Sequence, residues 1–270
     1  MKTNLWIKSA LGALLLTAIY ALLNVIFGHT QDLNRLLWGV LANFLVALLL
    51  GYYIYHSTLS GLKLVLAVFL IYFMIGHFNT LIEAYIFNVT DREQTTFEML
   101  NGFLASILFC PLYIFMFKKR VYLQPMTFVA RSFFGWLWRI LAANFLYLVF
   151  YITAGLILSI VYPQLMDFYE GKIPSFAIMI KTQLFARGFI FIGVAILILR
   201  TLDLAQLKKA VFIGLVFAIL GGIAPLIQPH ELMPDYIRLG HGFEVGISNS
   251  LYGFVISYLL GQKMPKTELK

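Results

Sequence analysis

Two glutamates near the starts of two apolar segments have the chemistry to bind a proton or a cation. Glu98 lies in residues 96–101 (TFEMLN), and Glu244 lies in residues 242–247 (GFEVGI). A carboxylate in a membrane helix costs about 2.5–3.5 kcal/mol at the helix centre and less near the ends. A costly side chain that recurs in similar surroundings predicts a functional site.

Helical periodicity gives each glutamate polar neighbours. At 100° per residue, His241 and Glu244 share one stripe of the last apolar segment, and Asn101 shares a face with Glu98. The first stripe continues through Ser248 and Tyr252 and predicts a cavity-lining face. A second stripe predicts close packing against another helix because it consists of small residues; its members are Gly242, Gly246, Asn249 and Gly253.

Arg187 is a third candidate because it precedes a run of apolar or small residues that ends at Leu199. An unpaired guanidinium in hydrocarbon is costly, so we expect Arg187 to pair with a carboxylate inside the bundle. Glu83, Glu98 and Glu244 have similar predicted depth. The predicted site for a substrate or ion comprises Glu83, Glu98, Asn101, Arg187, His241, Glu244 and Asn249.

Structural explanations of the same residues stay open at this stage. The pattern puts Glu98 and Glu244 in the first turns of their helices, where the helix dipole stabilises a carboxylate by about 0.3–1 kcal/mol. Glu244 and Arg187 could also extend toward the headgroups. Under these alternatives the acids would share no site.

Composition identifies the class of protein. Of 270 residues, 61% are hydrophobic and 12% are charged, and the mean hydropathy is +0.87. Soluble domains are about 45–50% apolar and about 25% charged, so this chain is predicted to be an all-α integral membrane protein. The net charge of +8 comes from residues spread between apolar spans, which argues against a nucleic-acid partner. Cys110 stands alone, so an intramolecular disulfide is excluded.

Eight apolar segments have the length of about 20 residues that a membrane helix needs. Lys and Arg concentrate on one side of this topology, which predicts that both termini are cytoplasmic in an inner or plasma membrane. The predicted spans are 6–27, 36–56, 62–87, 96–117, 133–161, 180–200, 208–228 and 241–261.

The chain also contains a predicted internal duplication. At an offset near 145 residues, Leu62-Lys63 matches Leu207-Lys208 and Gly76 matches Gly221, while Tyr20 matches Tyr151 at an offset of 131. The predicted repeats are residues 1–125 and 126–270, each with four helices. An even number of spans gives both the same orientation, which predicts a pseudo-twofold axis along the membrane normal.

Three functions fit these patterns. The first is a small secondary transporter with a polar site between the repeats near the outer face. The second is a membrane enzyme acting on a lipid or isoprenoid at the outer leaflet, with Glu244 as general base and His241 as acid or orienting group. The third is a non-catalytic scaffold or sensor subunit. We expect no metal and no cofactor, because zinc, nucleotide and nucleophile-elbow motifs are absent from the sequence. The sequence leaves homo-oligomerisation open.

Overall fold

The computed structural model of the protein describes residues 2–29, 33–87, 91–117, 131–171, 174–229 and 233–261. Within these ranges, eight helices are long and apolar enough to cross a membrane, which confirms the predicted helical class and number of spans. A short helix, Gln164–Tyr169, lies between the fifth and sixth. The eight are α1 (Lys2–Ile26), α2 (Leu33–His56), α3 (Gly61–Phe87), α4 (Arg92–Phe115), α5 (Phe133–Val161), α6 (Phe176–Thr201), α7 (Gln206–Ile227) and α8 (Asp235–Leu260).

The surface of the bundle is that of a multi-pass membrane protein. Large apolar side chains such as Phe145, Ile160 and Phe185 are more than half exposed. Soluble monomers rarely expose contiguous apolar surface on this scale, whereas lipid tails accept it. The interior is packed with fully buried Tyr53, Phe191 and similar side chains.

Three helices contain a π-helical segment, at Met74–Phe78 in α3, Gln183–Arg187 in α6 and Ile219–Ile223 in α7. In α7 a local cause is visible, because Pro225 has no N–H to donate to the carbonyl of the preceding turn. Such segments occur frequently at functional sites because they re-aim side chains within an otherwise regular helix.

Contacts between the chain halves include the crossing of α3 and α7 and a short bridge between the segments after α2 and α6. Where α3 crosses α7, a Cβ added at Gly76 would lie 3.8 Å from Leu220 O, and one added at Gly221 would lie 3.4 Å from Ile75. Ser57, after α2, also forms an isolated antiparallel bridge with a residue after α6. The bridge is made by hydrogen bonds from Thr58 N to Thr201 O (2.7 Å) and from Asp203 N to His56 O (3.0 Å).

Helix α4 begins at Arg92, four residues before the predicted start. Asp91 caps it by accepting a hydrogen bond from Gln94 N at 2.7 Å. Glu98 therefore lies in the second turn, and the prediction that it lies in the first turn is wrong. The dipole effect is confined largely to the first turn, so it does not account for Glu98.

Helix α8 begins at Asp235, six residues before the predicted start. Its first turn is fixed by Arg238, which is buried and donates to the carbonyls of Leu226 and Ile227 at 2.6 Å each. Glu244 therefore lies in the third turn, and the prediction of a first-turn position is wrong here as well. The dipole of α4 therefore does not explain Glu98, and the dipole of α8 does not explain Glu244.

Candidate binding cavity

A cavity of about 1330 Å³ opens at one end of the bundle and is lined by residues from all eight helices. Its opening is surrounded by His29, Arg35, Asp91 and Pro229; we call this the mouth end. The opposite end, which carries Lys63, Arg200 and Lys208, we call the basic end. Ligand pockets for small organic molecules occupy about 300–1,000 Å³, so the cavity has room for one.

The wall of this cavity contains all seven residues predicted as a binding site. Glu98 and Glu244, from the two halves of the chain, thus face one space rather than separate lipid surfaces. What they bind stays a prediction. The seven are Glu83, Glu98, Asn101, Arg187, His241, Glu244 and Asn249.

Arg187 forms an ion pair with Glu83, one of the three predicted partners. The guanidinium is buried, so the alternative of an outward-extended side chain is wrong. Glu83 also accepts hydrogen bonds from Tyr151 Oη at 2.8 Å and Gln183 Nε2 at 3.4 Å. The pair joins α3 to α6 and so connects the two halves of the chain.

The π-helical segment of α6 positions this ion pair. It places Gln183 and Arg187 on one face, where Arg187 Nη1 lies 3.4 Å from Gln183 Oε1 and Tyr147 Oη donates to the same oxygen at 3.1 Å. The carbonyl of Leu184 accepts a hydrogen bond from Asn144 Nδ2 at 2.6 Å. The wider helix is therefore stabilised by α5, and the charged pair is held by several neutral polar groups.

His241 and Glu244 form a second polar pair, with 2.9 Å between Nδ1 and Oε2. Their side chains are 30% and 14% exposed. Tyr169, from the short helix, has its ring centroid 6.5 Å from that of His241. Burial, together with the nearby charge of Glu244, raises the pKa of Tyr169 to about 12. Its hydroxyl therefore keeps its proton at neutral pH and can donate a hydrogen bond.

The two stripes predicted on α8 have different outcomes. The small-residue stripe packs on α7: a Cβ added at Gly253 would lie 2.9 Å from the Cα of Gly214. The polar stripe lines the cavity only as far as Ser248, because Tyr252 is fully buried beneath it. Asn249 belongs to the packing stripe and also reaches the cavity wall.

On the opposite wall, Glu98 and Asn101 have neutral partners. Gln94 Nε2 donates to Glu98 Oε1 at 3.2 Å. Asn101 Nδ2 donates to Asn24 Oδ1 at 3.1 Å, which joins α4 to α1. Asn101 Oδ1 is buried and has no hydrogen-bond partner among the described residues. The donor for this acceptor is not among the residues that the structure describes.

A further polar cluster lies beside these residues and was not part of the predicted site. Tyr20 Oη lies 2.9 Å from Tyr72 Oη and 3.0 Å from His77 Nε2, and all three side chains line the cavity. Gly102 permits this arrangement, because a Cβ there would overlap the His77 ring. Tyr72 carries no signal in the sequence that separates it from other core aromatics. Gln183 could have been found, since it is one helical turn before Arg187.

The cavity ends in the middle of the bundle. Beyond the deepest lining residues, α2, α4, α6, α7 and α8 continue toward the basic end with large, fully buried aromatic side chains. The cavity lining therefore stops short of the basic end. These aromatic side chains are Tyr53, Phe109, Tyr113, Phe191, Phe217 and Tyr252.

Comparison with known proteins assigns no family and no function to the chain. No family model, no curated protein and no solved structure matches the chain. The sequence and the fold together identify a multi-pass membrane protein that encloses a polar cavity with a buried ion pair in its wall.

Proposed function

We propose that the chain is a small secondary transporter that binds its substrate in the cavity between two four-helix repeats, residues 1–125 and 126–270. The observation that carries the proposal is the cavity itself, which is lined by ionisable side chains from both halves and is followed toward the basic end by fully buried aromatic side chains. A transporter that works by alternating access exposes its site to one side at a time. Fully buried side chains between the cavity and the basic end are compatible with a transporter state that is closed on that side.

Equivalent helix bounds support the repeat. Helices α2 and α6 end 145 residues apart (56 to 201), and α3 and α7 begin 145 residues apart (61 to 206). The π-helical segments of α3 and α7 have the same spacing (74 to 219). The helix bounds have the same offset as the sequence matches, which supports the proposed repeat.

The contacts between the halves are reciprocal, as a twofold axis requires. In the proposed repeat, Thr58 is equivalent to Asp203 and His56 is equivalent to Thr201. The hydrogen bond from Thr58 N to Thr201 O therefore corresponds to the one from Asp203 N to His56 O, and both bonds are formed. The approach of Gly76 to residue 220 has its counterpart in that of Gly221 to residue 75. These two pairs lie at different depths, so they support an axis that runs along the helices, parallel to the membrane normal.

Roles for the charged groups follow from their partners. Glu98 and Glu244 would bind a proton or a cation, because neutral groups or a histidine are their hydrogen-bond partners. Arg187 is engaged by Glu83, so its role would be to join the halves and stabilise that carboxylate rather than to hold an anion. The charge distribution favours an orientation with both termini in the cytoplasm of an inner or plasma membrane and with the cavity mouth outside.

The experiment is an uptake screen in proteoliposomes with pools of small metabolites, read by mass spectrometry. Wild-type protein should accumulate at least one compound, and Glu98→Gln with Glu244→Gln should abolish that accumulation while the protein stays folded. Glu170→Gln is the matched control because Glu170 is exposed and outside the cavity wall. Accumulation by the double variant at the wild-type rate would overturn the proposal.

A membrane enzyme acting on a lipid or isoprenoid is the second candidate, and one observation favours it. The hydrogen bond between His241 and Glu244 gives the arrangement of a general base and its orienting group. Incubation with labelled lipids should then yield a product that His241→Gln removes. Transport without any chemical change in the substrate would reject this candidate.

A further inference from the structure

The cavity wall has a negative charge surplus although the chain as a whole is basic. The net charge of the chain is +8. The wall contains five carboxylates, two guanidinium groups and no lysine among the described residues. A cleft with charge of one sign concentrates ligands of the opposite sign and speeds their entry. The five acids are Glu83, Asp91, Glu93, Glu98 and Glu244.

The two wall arginines are already bonded elsewhere. Arg187 is ion-paired with Glu83, and Arg35 Nε donates to Pro229 O at 3.2 Å. Asp91 and Glu93 are exposed at the mouth, where they can attract a ligand. Glu98 lies deeper, where water screens it less. Arg35 contributes some positive charge near Glu98. Inside the cavity, Glu244 is bonded to His241, whereas Glu98 is bonded to the neutral Gln94, so Glu98 is the acid that we assign to the cation.

Asn101 supplies a second, independent indication of the ligand. It is three residues beyond Glu98 on the same face of α4, lines the cavity and is 8% exposed. Its Oδ1 has no hydrogen-bond partner among the described residues. A buried acceptor without a donor is destabilising, and a ligand with N–H groups would remove that cost. A carboxylate beside an unsatisfied amide oxygen is suited to a protonated amine.

The rest of the wall is suited to an apolar body. The rings of Phe97 and His29 have centroids 4.4 Å apart at the mouth, and Tyr20, Tyr72 and Phe150 line the interior. Aromatic faces attract organic cations. A bare divalent ion is a poor alternative, because no group of three or more potential metal ligands occurs among the described residues.

We infer that the cavity selects organic cations, in which a protonated amine is attached to an apolar or aromatic body. The ammonium group binds between Glu98 and Asn101, and the body lies against the aromatic wall. This inference rests on the proposed transport function, for which it names the class of substrate. Binding, however, can be measured without transport.

The test uses three probes of similar shape: 2-(1-naphthyl)ethylamine, 2-(1-naphthyl)ethanol and 1-naphthylacetate. Binding to the purified full-length protein is measured by isothermal titration in detergent. The amine should bind about tenfold or more tightly than the alcohol, and the carboxylate most weakly of the three. Glu98→Gln should weaken amine binding about tenfold, Asn101→Leu should weaken it severalfold, and Glu170→Gln should leave it unchanged.

Equal affinity for the amine and the alcohol would overturn the inference, as would unchanged amine binding in a folded Glu98→Gln variant. Amine binding without uptake of any compound would support the cation site and reject transport. Glu98-dependent uptake of neutral or anionic compounds, with no amine binding, would reject the cation site and leave transport standing. The two proposals can thus fail separately.

Discussion

The ion pair between Glu83 and Arg187 offers the most direct test of the physical reasoning. The side chain of Arg187 is 5% exposed and that of Glu83 is 22% exposed. Glu83→Gln leaves the buried guanidinium without its ion-pair partner, and breaking a buried pair in this way costs about 3–5 kcal/mol. We expect about 3 kcal/mol, because the cavity lets water reach the place of the lost carboxylate.

That loss corresponds to a fall in the midpoint of thermal unfolding of about 6–12 °C, at roughly 2–4 °C per kcal/mol for a chain of this size class. Arg187→Met should cost less, about 1–2 kcal/mol, because Glu83 keeps its donors Tyr151 and Gln183. The double variant should be more stable than Glu83→Gln alone, since it buries no unpaired charge.

The assay is thermal unfolding in detergent, followed by tryptophan fluorescence and by size-exclusion of the heated protein. Glu170→Gln is again the matched control, because removal of an exposed surface charge changes stability by no more than about 0.5 kcal/mol. A Glu83→Gln midpoint within about 2 °C of wild type would refute the argument. Strict additivity in the double variant would refute it equally, because it would mean that the two groups do not interact.

Two further predictions concern packing and orientation. Gly102→Ala should destabilise the protein by about 1–3 kcal/mol in the same assay, because the added methyl group overlaps the His77 ring. Gly193→Ala is the control, because its added methyl group meets open space and should cause no loss of stability. Equal effects of the two substitutions would contradict the packing around His77. With single cysteines on a cysteine-free background, Glu93→Cys should react with an impermeant maleimide added outside intact cells, and Lys208→Cys only after permeabilisation. The opposite pattern would reverse the proposed orientation.

The membrane spans could be predicted from the sequence because the hydropathy and length of a segment determine whether it crosses the bilayer. The largest error is the start of α8, where residues 235–240 include Asp235, Arg238 and Gly240 and resemble a loop in sequence. These residues are helical because Arg238 satisfies carbonyls at the end of α7. These hydrogen bonds join residues on different helices, so the residue pattern of one segment cannot predict them.

The residues of the site could be predicted from the sequence, but which of them form ion pairs could not. The cost of a polar group in hydrocarbon singled out Glu98, Arg187 and Glu244 without any coordinates. Which carboxylate pairs with Arg187 depends on how α3 and α6 pack, and on a π-helical segment that the sequence does not reveal. Glu83 could therefore be named only as one of three candidates.

Under the proposed repeat, the scaffold is nearly symmetric while the cavity wall is not. At an offset of 145, Arg187 corresponds to Ala42 and His77 corresponds to Gly222. At the equivalent positions, the ion pair and the cluster around His77 therefore each lack a counterpart. A ligand in such a cavity meets two chemically different walls, so its two ends are distinguished. In the proposed transporter, the near-twofold scaffold would serve the rearrangement of the helices, and the asymmetry of the side chains would set the orientation in which a substrate binds.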